Sequence, residues 1–171
     1  MRLIKKKKIV NEDVRIDFFT VFISSACYTG YAPAASGTFG SLFGLLFVLI
    51  PGFYNPVVIG TLILIFFFAG IVTSERMMQR YGDDPSVVVL DEVVGMWTTL
   101  LVISAFGIEI SFASAALSFA AFRLFDIFKI FPAGYFDRMK SGFGIMADDV
   151  AAGVYGGLLT FLLVKLYYLY F

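Results

Sequence analysis

Five acidic residues stand where an otherwise apolar chain would not be expected to carry them. Asp91 and Glu92 open the apolar stretch 87–106, Asp126 lies near the far end of 110–128, and Asp148 and Asp149 immediately precede 150–171. A carboxylate at the centre of a membrane helix costs about 2.5–3.5 kcal/mol, less near the interface. Adjacent acids add mutual repulsion, so such residues persist when a positive charge neutralises them. A hard divalent cation such as Mg²⁺ takes oxygen ligands and keeps some of its waters, and carboxylates drawn from separate helices meet that need. Simpler roles exist for each acid alone. Charges at a helix start favour its dipole, and Arg123, Lys129 and Arg138 are available as ion-pair partners. Two acidic pairs and Asp126 converging on one face favour the metal.

Arg123, Asp126 and Lys129 follow one another at i, i+3 and i+6, which spreads them over about 120° of one helix face. Two cations flanking a carboxylate suit a phosphate held beside a metal, with the Arg fork binding oxygens in pairs and Lys acting as a point charge. Read alone, the triplet is an intrahelical ion pair with a neighbouring lysine. Ser36-Gly37-Thr38-Phe39-Gly40-Ser41 precedes an apolar run. Small residues there let backbone N–H groups approach an anion at a helix start, or simply cap and pack the helix. Gly142-Phe143-Gly144 repeats the pattern before Asp148 and Asp149. Several phosphate chemistries are excluded. There is no histidine for a phospho-histidine route, Cys27 is the only cysteine and has no Arg at the Cys-x5-Arg spacing, and no DxDx[TV] motif occurs. Metal-assisted attack by water remains.

The elements that must position these residues are membrane helices. Of 171 residues, 60% are hydrophobic and 15% charged, against about 45–50% and 25% in soluble domains. The expected fold is an all-α polytopic membrane bundle of about five spans, at roughly 38–50, 56–73, 87–106, 110–128 and 150–171. A short N-terminal segment, 18–28, lies shallow or re-enters. This arrangement puts Arg2, Lys5 to Lys8, Arg15, Arg76, Arg80, Arg123, Lys129, Arg138 and Lys140 on one side and only Lys165 on the other, which makes the first side cytoplasmic. Residues 1–17 form a basic cytoplasmic segment without the pattern of a signal peptide. Lys5, Lys6, Lys7 and Lys8 set topology or meet anionic lipid headgroups. Residues 18–171 form the membrane-embedded domain. Cys27 in its apolar surroundings reads as a packing residue.

From about Tyr28 to Gly157 the chain resembles the phosphatidylglycerophosphatase A family. Three blocks carry the resemblance: Ser36 to Ser41, Leu90-Asp91-Glu92-Val93-Val94-Gly95-Met96-Trp97, and Phe122-Arg123-Leu124-Phe125-Asp126-Ile127-Phe128-Lys129 continuing through Asp148-Asp149 to Gly153. It departs where Ser36 replaces an expected proline and Ile130-Phe131 a Pro-Trp-like pair, changes that touch loop geometry and no charge. The resemblance implies a Mg²⁺-dependent phosphatase that converts phosphatidylglycerophosphate to phosphatidylglycerol and phosphate, in a bacterial-type inner membrane with its site facing the cytoplasm. On this reading Asp91, Glu92, Asp126, Asp148 and Asp149 hold the metal, and Asp91, Glu92, Asp126 and Asp149 act in catalysis. Arg123, Lys129 and Arg138 hold phosphate, and Gly37, Thr38, Gly40 and Ser41 line the pocket. The expected partner is a phospholipid, with no nucleic acid. The sequence leaves the oligomeric state open. An ion-coupled transporter is the rival reading, although these acids gather at one membrane edge rather than at the midplane and the chain lacks matched halves.

Overall fold

The computed structural model describes residues 10–170, so the Lys5 to Lys8 run lies outside the described residues. Seven α-helices and no strand occur among the described residues: α1 (Phe18–Ser24), α2 (Ser36–Leu46), α3 (Pro56–Tyr81), α4 (Leu90–Ala105), α5 (Phe112–Phe128), α6 (Ala133–Phe136) and α7 (Gly142–Tyr170). Local chemistry sets their ends. The Asp17 carboxylate accepts the Thr20 N–H at 2.9 Å to start α1. Asn55 accepts the Val57 N–H at 2.9 Å, and Pro56 occupies the first turn of α3 where no N–H is missed. Ser111 and Ser114 cap α5 reciprocally. Lys129 closes α5 in the left-handed region at φ +46°, with its N–H on the Phe125 carbonyl at 2.8 Å.

The all-α class is observed, but the arrangement of about five spans is not. Only α3, with 26 residues, and α7, with 29, are long and apolar enough to cross a membrane among the described residues. At about 1.5 Å per residue they reach roughly 39 and 43 Å, against a hydrocarbon core of about 30 Å. α2 has 11 residues before its chain tightens into a 3₁₀ turn at Phe47–Leu49, α4 has 16 and α5 has 17. These give roughly 17, 24 and 26 Å, short of that core. α1, with 7 residues, is shorter still. Hydropathy misled at α4 because protein, rather than lipid, covers it. Eleven of its residues are buried, since it is wrapped by α2, α3 and α7, and a helix apolar all round is satisfied by either surrounding. By contrast, α3 turns Val57, Leu64, Phe68 and Val72 outward, and α7 does so with Leu162 and Leu169.

Trp97 anchors the seam between α2 and α4. Its indole N–H donates to the Gly44 carbonyl at 3.0 Å. The rings of Phe47, Phe53 and Phe66 meet it edge-on at 5.1, 5.5 and 5.5 Å. Glycines close the α4–α7 seam: a Cβ on Gly153 would lie 2.3 Å from the Gly95 carbonyl oxygen. Backbone cannot swing aside as a side chain can, so Gly153→Ala forces the two helices apart. We expect it to destabilise the protein by about 1–3 kcal/mol, the range for overpacking, read as a lowered Tm in detergent. An unchanged Tm would refute the close approach.

Candidate active site

α4, α5 and α7 each present acids at the same end of the bundle, around a cavity of about 220 Å³. Asp91 and Glu92 occupy the first turn of α4, Arg123 and Asp126 the end of α5, and Asp148 and Asp149 the second turn of α7. The two acidic pairs share one local device. Asp91 Oδ1 accepts the N–H of Glu92 at 3.0 Å, and Asp148 Oδ1 accepts the N–H of Asp149 at 2.9 Å. In each pair the first acid is held by the backbone and the second reaches inward. The inward pair meets Asp126: Glu92, Asp126 and Asp149 each offer a carboxylate oxygen, and these lie within 4.8 Å of one another. All three residues are buried.

Three cations neutralise part of this charge at three depths. Arg123 Nη1 is ion-paired with Glu92 and lies 2.9 Å from Asp126 Oδ2. It also donates to Ser41 Oγ at 3.2 Å, and that hydroxyl sits 2.9 Å from Glu92 Oε2 and 2.8 Å from the Gly37 carbonyl. Lys129 Nζ bridges Asp148 at 2.6 Å and Asp137. Burial pulls the Lys129 ammonium down, but Asp148 and Asp137 outweigh it and hold the group above the usual lysine range. Lys140 Nζ meets Asp83 Oδ2 at 2.6 Å, and that bond likewise raises its pKa. Side-chain exposure rises from 18% at Arg123 through 31% at Lys129 to 76% at Lys140.

Eight carboxylates line the cavity against two lysines, with Arg123 behind. Such a field rejects a phosphate and draws in cations. The donor set suits a hard divalent ion: all oxygen, from three helices, close enough to share one centre. Arg123, lodged against two of the three carboxylates, already fills the place of a positive charge there.

The residues singled out from the sequence fall into three groups. Asp91, Glu92, Asp126, Asp148, Asp149, Lys129 and Gly37 line the cavity, with Arg123 and Ser41 in direct contact with Glu92. Thr38 and Gly40 do not line it; Gly40 packs on Val89, where a Cβ would lie 2.8 Å from the Val89 Cβ. Arg138 is exposed, off the cavity, and in no ion pair among the described residues. Cys27 is exposed rather than packed. Sequence reasoning missed Asp83, Asp84 and Lys140 as lining residues. Nothing in the spacing of Gly82-Asp83-Asp84-Pro85 points to Lys140.

No solved structure matches the chain. A Bacteroides thetaiotaomicron protein with the provisional name phosphatidylinositol-3-phosphatase is 37% identical over 150 residues, 85% of this chain and 93% of that protein. Phosphatidylglycerophosphatase A of Haemophilus influenzae is 34% identical over 136 residues, 78% of this chain and 81% of the relative. Phosphatidylglycerophosphatase A of Escherichia coli is 31% identical over 137 residues, 78% and 77% of the two chains. The family description "Phosphatidylglycerophosphatase A" covers residues 22–164, a stretch that holds all three carboxylates of the cluster together with Arg123 and Lys129, and the chain therefore belongs to that family of phosphatases.

Proposed function

We propose that the protein is a divalent-metal-dependent lipid phosphatase that hydrolyses phosphatidylglycerophosphate to phosphatidylglycerol and inorganic phosphate, with Mg²⁺ as the ion. The site faces the cytoplasm, in a bacterial inner membrane. The observation that carries this reading is the meeting of Glu92, Asp126 and Asp149, from three helices, beside the ends of the two helices able to cross a bilayer. Membership of a phosphatase family sets aside the ion-coupled transporter.

In this reading Glu92, Asp126 and Asp149 hold the metal, with Asp91 and Asp148 at its edge. The bound ion would polarise phosphoryl oxygens and offset charge on the leaving alkoxide. The chain's residues do the rest. Lys129, partly exposed in the cavity, and Arg123 supply positive charge to the phosphate, and Arg138, exposed on the segment that follows Asp137, adds to it when the headgroup is bound. The Gly37 to Ser41 turn of α2 walls the site, with Ser41 and Arg123 fixing the Glu92 carboxylate. Water attacks phosphorus as a carboxylate of the cluster takes its proton, the P–O bond to the glycerol breaks, and that carboxyl returns the proton to the departing glycerol oxygen, so that an alcohol leaves and the carboxylate is restored.

The Bacteroides relative's name supports a second substrate, phosphatidylinositol 3-phosphate. The test is phosphate release by the full-length protein in mixed micelles, with both lipids offered separately. We expect release from phosphatidylglycerophosphate, lost in EDTA and restored by Mg²⁺. Release indifferent to EDTA would overturn the metal. Release from the inositol lipid alone would transfer the assignment to it.

A further inference from the structure

We propose that Lys140 forms a subsite for the phosphodiester of the lipid headgroup, exchanging its Asp83 partner for that group when substrate enters. The proposal rests on the lipid-phosphatase reading above and names a part of the substrate that reading leaves unplaced.

Among the ion pairs that line the cavity, Lys140–Asp83 is the outermost, with both side chains largely exposed, at 76% and 56%. Water and salt screen such a pair, so it contributes little to the fold and exchanges partners readily. Arg123 and Lys129 are held by buried carboxylates and lack that freedom. The position is nonetheless built. Asp83 lies two residues beyond α3, and Lys140 two residues before α7. The Gly142 N–H donates to the Glu75 carboxylate at 2.7 Å, which ties the start of α7 to the last turns of α3. Both Lys140 and Asp83 line the cavity.

α3 and α7 are the two helices that can cross a bilayer, so their adjoining ends lie at headgroup level, where every phospholipid carries its diester. The acid cluster is deeper: Asp149 is seven residues into α7, roughly 10 Å along its axis. A headgroup that folds back into the cavity reaches both places, with its diester at Lys140 and its monoester towards Glu92, Asp126 and Asp149. The Asp83 carboxylate stands in for the diester while the site is empty of lipid. A soluble phosphate monoester has no second phosphate with which to displace it.

Two variants act in opposite directions under this proposal. Lys140→Gln is expected to raise KM for short-chain phosphatidylglycerophosphate about tenfold and KM for glycerol 3-phosphate less than twofold. Asp83→Asn, which removes the competitor, is expected to lower the lipid KM two- to threefold. If the pair merely fastened α3 to α7, both variants would shift both substrates in one direction, and that outcome overturns the proposal. Calorimetric binding of short-chain phosphatidylglycerol, which carries the diester alone, to the full-length protein in neutral detergent gives a readout that needs no turnover. Binding weakened about tenfold by Lys140→Gln supports the subsite, and equal binding by both proteins overturns it. Absence of phosphate release from the lipid by the wild-type protein, alongside Lys140-dependent binding, would instead remove the catalytic reading and leave the subsite standing.

Discussion

Asp149→Asn is expected to lower kcat/KM for phosphate release about a thousandfold while leaving the metal-free protein at least as stable as the wild type. Asp149 is 3% exposed and enters no ion pair among the described residues. Its carboxylate lies within 4.8 Å of those of Glu92 and Asp126. Asparagine keeps the shape and removes one of the three negative charges that meet there. Stabilisation of phosphoryl-transfer charge by a bound ion is worth several kcal/mol, and about 4 kcal/mol corresponds to roughly a thousandfold. The stability expectation has the opposite sign because like charges held together away from bulk water repel strongly. Neutralising one relieves that repulsion, the usual conflict between an active site and its fold. Phosphate release and thermal unfolding in EDTA, measured on the same preparation, separate the two effects. Activity within tenfold of wild type would remove Asp149 from the site.

Gly37→Ala is expected to cost about a hundredfold in activity with little change in stability. A Cβ at Gly37 would lie 1.9 Å from Glu92 Oε1 and 3.3 Å from Arg123 Nη1. The atom it strikes is the end of a flexible side chain, so the carboxylate can swing away cheaply. Alanine also suits a helix better than glycine, by up to about 1 kcal/mol. What the swing destroys is function: Glu92 would leave Ser41 and Arg123 and with them its place beside Asp126. A loss near 2.7 kcal/mol in transition-state stabilisation is roughly a hundredfold. Circular dichroism and Tm should match the wild type while phosphate release falls. Wild-type activity would mean that the Glu92 carboxylate need not sit where Gly37 admits it.

The sequence made the gathering of acids legible for a physical reason. Asp91, Glu92, Asp126, Asp148 and Asp149 interrupt apolar stretches, and a charge in such a setting needs a partner wherever it lies. It could not reveal which three would share a centre, because that depends on side-chain direction. The Asp91 and Asp148 carboxylates are taken up by backbone N–H groups one residue on, while Glu92 and Asp149 reach in. The cores of α3 and α7 were legible as spans because their hydropathy persists for long enough. α4 was misread as a span because composition records how apolar a helix is, not what covers it, and α5 because its apolar run is helical over only 17 residues. Leu100 faces protein, yet on a hydropathy scale it counts as apolar just as Phe68 does, which faces outward. Lys140 and Asp83 were not legible as a pair at all, since 57 positions separate them and only the docking of α3 against α7 brings them together.

Trp97 is the only tryptophan in the chain, and it sits where α2 docks on α4, less than two turns beyond Asp91 and Glu92. Its fluorescence therefore arises from one place. The emission registers whether the glycine-rich helix that walls the cavity is seated, with no label attached and no background from elsewhere. Detachment of α2, or of the α3 face that carries Phe66, becomes an optical event in detergent.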